Sequence, residues 1–241
     1  MALALGLAAC GAGIGSLVFP PLLSFLIAHY TWKGALLITG GITLNLSVMG
    51  AILRPIKHPT ESKKSSLSEL CRCRVFRSPL YVTLCINNIF LCFGLSIVYV
   101  HLAAYAGSMG CGLESSALLY SVVGGANFCG RIAFGALANQ KRVGSVFFYL
   151  LALGLCGVAT CLCPLAVNYA GLVTYAFFFG FLSACIGPLT PKVVIDCLGS
   201  GPLASAYGYL LLFEALGQLS GAPVAGMLHI NSTESFLEDP S

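Results

Sequence analysis

The sequence predicts an all-α integral membrane protein of about seven transmembrane helices, and three observations predict it. Of 241 residues, 58% are hydrophobic and only 8% are charged, where a soluble domain carries about 25% charged residues. Mean hydropathy is +0.92, and twelve Lys and Arg with eight Asp and Glu cannot cover a soluble particle of this size. The apolar residues also arrive in long blocks. A bilayer core takes about 20 apolar residues as a helix, whereas a barrel strand shows a short alternating pattern. Composition therefore excludes a soluble enzyme, a secreted disulfide scaffold and a disordered chain.

The blocks run 2–28, 33–53, 79–105, 114–138, 144–165, 168–191 and 203–228. The first is too long and glycine-rich for a signal peptide and lacks a basic start. Its Gly11 and Gly15 have the spacing that lets membrane helices approach closely, and Pro20-Pro21 predicts a break. The second block follows Tyr30-Thr31-Trp32, and together the two make an amino-terminal unit, residues 1–53. Residues 54–78 form a basic linker, and 79–229 a bundle of about five helices. In that bundle, Gly187-Pro188 with Pro191 and Gly221-Ala222-Pro223 with Gly226 mark bent helices, and 230–241 is left as a tail.

Charge sets the orientation. Arg54, Lys57, Lys63, Lys64, Arg72, Arg74 and Arg77 crowd the linker, while Lys141, Arg142 and Lys192 follow the fourth and sixth blocks. Placing these in the cytosol leaves only Lys33 outside, so the amino terminus is expected in the cytosol and the tail outside. Asn231-Ser232-Thr233 is then a glycosylation triplet on the tail. A seven-helix receptor has the opposite orientation, and its Asp-Arg-Tyr and Asn-Pro-x-x-Tyr motifs are missing.

The twelve cysteines suit packing. Cys71 and Cys73, and Cys161 and Cys163, have no second pair or histidine near in sequence, so neither is expected to bind metal. Palmitoylation at Cys71 or Cys73 is the alternative role for that pair. No phosphate loop, nucleophile elbow or zinc-protease motif occurs, so no enzyme and no cofactor is predicted. The basic linker reads as a face towards anionic lipid, not a nucleic-acid site.

The informative residues are polar ones inside the blocks. Arg131 costs at least about 2.5–3.5 kcal/mol in a bilayer and should face water or a partner. Lys141 is ten residues further on, about 15 Å of helix, too far for Arg131 to snorkel comfortably to the same surface. Asn127 lies one turn earlier on the same face. Glu214, near the middle of the last block, is either a packed carboxylic acid or a proton or substrate group. Asn87, Asn88 and His101 are polar candidates for lining a cavity, though a lone histidine on an apolar helix is more often a packing residue, and Tyr207 is a further candidate. Lys192 and Asp196 are expected to serve a turn. Bent helices around buried polar groups suit an alternating-access carrier better than a channel.

Longer stretches resemble a known family. Leu3 to Gly15, then Tyr30-Thr31-Trp32-Lys33-Gly34 with Leu44-Asn45 and Leu53-Arg54-Pro55, resemble the fifth and sixth helices of the monocarboxylate transporters, a branch of the major facilitator superfamily. Asp196 to Gly199, Ser205 to Gly208 and Gly221 to Gly226 resemble the tenth-to-eleventh helix region. The resemblance implies a partial major-facilitator fold covering the fifth to eleventh helices. It also implies transport of a small monocarboxylate or related organic solute, with Arg131 binding the anion and Asn127, Tyr207, Glu214 and Asn88 around it.

Two departures qualify what the resemblance implies. Proton-coupled members carry an acid where this chain has Asn127, and an amide cannot titrate. This brings carriers of creatine-, carnitine- or amino-acid-like solutes without proton coupling into consideration, with Glu214 as the alternative proton site. The chain is also short for a twelve-helix family and lacks the basic stretch expected before Leu3. We therefore expect a partial gene model or truncated form, with Met1 internal to a longer protein. The competing expectation is a non-transporting membrane partner that binds a single-span ancillary protein or a full-length copy.

Overall fold

The computed structural model describes residues 2–52, 73–137, 144–165, 168–199 and 203–237. Among these the regular structure is entirely helical: α1 (Ala2–Ile52), a short 3-10 turn (Cys73–Arg77), α2 (Pro79–Ser108), α3 (Leu113–Leu137), α4 (Ser145–Leu162), a second 3-10 turn (Cys163–Leu165), α5 (Tyr169–Ser183), α6 (Ile186–Leu198) and α7 (Leu203–Leu237). Most of the predicted basic linker, including Cys71, and the pair Lys141 and Arg142 lie outside the described residues.

Six helical stretches are long and apolar enough to cross a membrane, against seven predicted blocks. The first two blocks run together as α1, whose 51 residues would extend about 77 Å if straight, more than twice a bilayer core of about 30 Å. Thr31 divides it, at φ 62° and ψ 171°. That region is essentially reserved for glycine, and a β-branched residue there stores about 1–3 kcal/mol. Gly34 accommodates the bend, since a Cβ on it would come within 2.8 Å of Tyr30 Cβ.

The predicted break at Pro20-Pro21 does not occur, and both prolines sit within helix. Pro21 has no N–H to offer the carbonyl of Leu17, four residues back. Ser121 of α3 supplies the donor instead, its Oγ 3.1 Å from that carbonyl. Beside it, Gly124 lies so close to the Ser16–Leu17 backbone that a Cβ would collide with it, and a Cβ on Gly13 would reach 2.8 Å from Phe128 Cα. The proline pair therefore docks α1 against α3, the helix on which most of its packing falls.

The predicted sixth block divides into α5 and α6 around Ala184–Cys185. Pro188 explains the site of the break, because its ring displaces the hydrogen bond due to the Ala184 carbonyl. α5 runs in the same direction as α3, with Gly180 against Val123 and Gly130 2.5 Å from the Phe181 carbonyl, measured from where its Cβ would stand.

α2 and α7 are also parallel. Their contacts climb in step: Tyr81 Oη donates to the Ala206 carbonyl at 2.6 Å, Ser96 Oγ to that of Gln218 at 2.9 Å, and His101 Nε2 lies 3.4 Å from that of Ala222. Between them, Gly217 packs on Ile89 and Cys92, and Gly221 on Phe93. Helix α7 continues past the predicted boundary at 229 to Leu237, so the Asn231 triplet stands on helix rather than on a free tail. The core holds Tyr81, Tyr149, Leu189 and Leu210 at one level and Leu119, Leu172 and Phe179 at another. Large apolar side chains such as Phe147, Leu151 and Leu155 of α4 cover the outside, as a lipid-facing surface requires.

The glycine contacts give a direct test. Gly217→Ala should destabilise the protein by about 1–3 kcal/mol through overpacking, read as a lower unfolding temperature in detergent. Gly94→Ala, which has open space around its Cβ position, should be neutral or slightly stabilising.

Candidate functional site

Arg131 stands in α3, half-buried, and its guanidinium is held from the same helix. Its Nε donates to Asn127 Oδ1 at 2.7 Å, the one-turn spacing expected from the sequence. Asn127 is itself buried and faces α5, where its Nδ2 donates to the Gly180 carbonyl at 3.2 Å and approaches Ser183 Oγ at 3.5 Å. Ser183 Oγ donates to the same carbonyl at 3.2 Å.

The Gly180 carbonyl lies in the last turn of α5, just before the break at Ala184–Cys185. Its helical partner would be the Ala184 N–H, which turns towards Leu182 at the break. Carbonyls at a helix end inside a membrane need donors, and Asn127 and Ser183 both donate to this one. The amide is thereby fixed with its oxygen towards Arg131. Among the described residues Asn127 is the hydrogen-bond partner of Arg131, which leaves both Nη groups for a ligand, and such a fork matches a carboxylate in two parallel hydrogen bonds.

Two tyrosines stand in the field of Arg131: Tyr99 from α2, which also reaches Ser183, and Tyr207 from α7. Tyr207 lies within electrostatic range of Glu214 as well. Glu214 is half-buried and acts on Cys92 and Tyr149. Of the predicted residues, Asn127 touches Arg131 directly, while Tyr207 of α7 lies within electrostatic range of it without a hydrogen bond, and Glu214 of α7 within range of Tyr207.

Asn88 does not join them at Arg131. It is 0% exposed and accepts from Tyr149 Oη at 3.2 Å, beneath α4 rather than on an open wall. Asn87 does line a cavity, of about 380 Å³, with Thr83, Tyr149 and Asp196. His101 lines another, of about 260 Å³, with Tyr105, Thr160 and Tyr175. Asp196 accepts from Ser145 Oγ and ties α6 to the start of α4, which suits the turn-serving role expected of it.

Sequence reasoning missed Tyr99, Ser183 and Tyr149. Tyr149 follows Phe147 and Phe148 in an apolar block and gives no signal. Ser183 does give one, since it lies five residues before Pro188, next to the carbonyls a proline break exposes.

Broken, glycine-packed membrane helices with polar groups between them are features that secondary transporters share. Residues 1–222 match the family model described as Major Facilitator Superfamily, and the chain belongs to that superfamily of membrane transporters. It is related to the monocarboxylate transporter branch. Monocarboxylate transporter 12 of Xenopus laevis is 30% identical over 94% of this chain and 55% of its own length. Monocarboxylate transporter 13 of Rattus norvegicus is 33% identical over 98% of this chain and 55% of its own. Monocarboxylate transporter 4 of Gallus gallus is 31% identical over 94% and 50% respectively. The chain therefore spans about half the length of the curated relatives it matches.

Removing the clamp should be measurable without any substrate. Asn127→Ala leaves the Gly180 carbonyl with Ser183 alone and Arg131 Nε with no acceptor. A loss of about 1–3 kcal/mol is expected in thermal unfolding, and an unchanged melting curve would show that the amide carries no structural load.

Proposed function

We propose that this chain moves a small organic monocarboxylate, or a related organic anion or zwitterion, across the plasma membrane by alternating access. Arg131 binds the carboxylate through its two Nη groups, Asn127 holds the arginine in register, and Tyr99 and Tyr207 stand beside the bound solute. The observation that carries this reading is the 2.7 Å contact from Arg131 Nε to Asn127 Oδ1, which fixes the guanidinium while sparing its carboxylate-binding edge. The names of the relatives, monocarboxylate transporters 12, 13 and 4, support the substrate class.

On this reading residues 1–53 belong to the amino-terminal half of a carrier, 54–78 to its cytosolic linker and 79–229 to its carboxyl half. The amino terminus is cytosolic and the carboxyl end external, in keeping with the basic residues of the linker.

A second reading, facilitative transport of creatine-, carnitine- or amino-acid-like solutes without proton coupling, is favoured by Asn127 itself. An amide that donates to a backbone carbonyl and accepts from arginine stays neutral through the cycle. Any coupled proton would have to bind elsewhere, and Glu214 is a carboxyl within the bundle that can take it.

Uptake of labelled lactate, pyruvate, a ketone body, creatine, carnitine and an aromatic amino acid, with and without an inward proton gradient, tests both readings. Arg131→Lys should lower uptake at least about tenfold at normal surface expression, because a point charge replaces a fork. No uptake by the surface-expressed chain would reject transport and leave the role of a membrane partner, for a single-span ancillary protein or a longer copy.

Asn127→Asp adds a sign. The aspartate must face the Gly180 carbonyl, which only its protonated form can donate to, while its ionised form pairs with Arg131 and competes with the solute anion. Uptake by this variant should therefore rise as pH falls, whereas the parent chain shows no such dependence arising at position 127.

A further inference from the structure

A second polar group lies where α2, α4 and α6 meet. Tyr149 Oη donates to Asn88 Oδ1 at 3.2 Å and comes up to Thr190 as well. Asn88 is 0% and Thr190 1% exposed, yet Asn88 Nδ2 and Thr190 Oγ1 are both buried without a hydrogen-bond partner. Tyr149 Oη gives its one proton to Asn88 and keeps lone pairs free, but Thr190 Oγ1 approaches it without closing a hydrogen bond. Two orphaned polar atoms around one tyrosine call for a common ligand, because a buried group left unsatisfied forfeits its full hydration.

The atom types say which ligand. Nδ2 can only donate, which excludes a cation, while a threonine hydroxyl both donates and accepts. A single water accepts from the amide and exchanges a hydrogen bond with the hydroxyl, the usual role of water buried in a protein.

This position joins two features already described. On the Pro79 side, Tyr149 lines the cavity it shares with Asn87, Thr83 and Asp196. On the other side, the parallel register of α2 and α7 sets Glu214 level with Asn88, one turn below the contact of Gly217 with Ile89 and Cys92. Glu214 acts electrostatically on Tyr149 and Cys92.

We propose that Asn88, Tyr149 and Thr190 hold a water that connects the Asn87–Asp196 cavity to Glu214, so that this carboxyl exchanges its proton with the solution at the Pro79 end of the bundle. In the step, the Glu214 O–H bond breaks and the proton passes to the water. The water releases one of its own protons towards the cavity, and a carboxylate remains. The titratable and charged groups around that carboxylate are Cys92 of α2, Tyr149 of α4, Cys185 at the α5–α6 break beside Tyr149, and Tyr207 of α7, with Arg131 of α3 beyond it. The route does not involve Arg131 and holds whichever solute that residue binds.

The test is infrared spectroscopy of the full chain in lipid nanodiscs, which requires no substrate. The protonated-carboxyl stretch of Glu214 is assigned by its loss in Glu214→Gln, and its hydrogen–deuterium exchange is followed after a switch into heavy water. Thr190→Val and Asn88→Leu, which keep shape and remove the polar atoms, should slow this exchange about tenfold or more, a barrier rise of about one decade in rate. Thr160→Val, in the cavity at the opposite end, should leave it unchanged. Unaltered exchange in both Thr190→Val and Asn88→Leu overturns the route, as does a Glu214→Gln spectrum identical to the parent's. Should either variant melt early, hydroxyl-radical labelling of the unmodified chain by X-ray radiolysis decides instead. Oxidation at Tyr149, which is 1% exposed, marks a bound water beside it, and an unlabelled Tyr149 rejects one.

Discussion

A carbonyl freed inside a lipid bilayer must find a donor, because no water waits there to provide one. Around its prolines this chain meets nearby carbonyls with polar side chains. Pro21 releases the Leu17 carbonyl, and Ser121 of α3 donates to it. Pro188 breaks the helix at Ala184–Cys185, and Asn127 and Ser183 take up the Gly180 carbonyl just before the break. Both donors from outside the broken segments, Ser121 and Asn127, sit on α3. That helix is held on one side by α1 and on the other by α5, with glycines at both seams where the backbones approach.

The same constraint produces the site. Arginine in a bilayer interior is tolerated when it is paired or faces water, and Asn127 meets half of that requirement through Nε. Because the amide is committed to α5 through its other end, the position of the guanidinium depends on where the broken helix lies. A shift of α6 relative to α5 would be felt first at Gly180, then at Asn127, then at Arg131. The guanidinium and the bend are therefore parts of one mechanical unit, joined through Asn127 and the Gly180 carbonyl.

Much of this was legible in the sequence because the bilayer imposes simple rules. Block length gave the spans, and the four-residue spacing of Asn127 and Arg131 gave their contact. Other features depend on a partner that sequence does not name. Pro20-Pro21 looked like a break, but Ser121, a hundred residues on, repairs it. Thr31 looked like an ordinary residue between blocks, and its left-handed φ has no glycine or proline at that position to announce it. Asn88 and Asn87 read alike as adjacent amides. One is sealed beneath Tyr149 and the other opens on a cavity, since neighbours in a helix point about 100° apart.

The clamp on Arg131 also has an order of assembly. Asn127 and Gly180 are 53 residues apart in the chain, so at about 5–20 residues per second a ribosome completes α5 about 3–10 s after it completes the asparagine. For that interval α3 carries an arginine with its own asparagine but without the helix that orients it. The spans bearing Arg131 and Glu214 are also the two least apolar of the six, hence the two with least tendency to leave the translocon for lipid unaided. The contact that positions Asn127 thus forms only once α5 has been made, so the arginine's surroundings are completed late in the synthesis of the bundle.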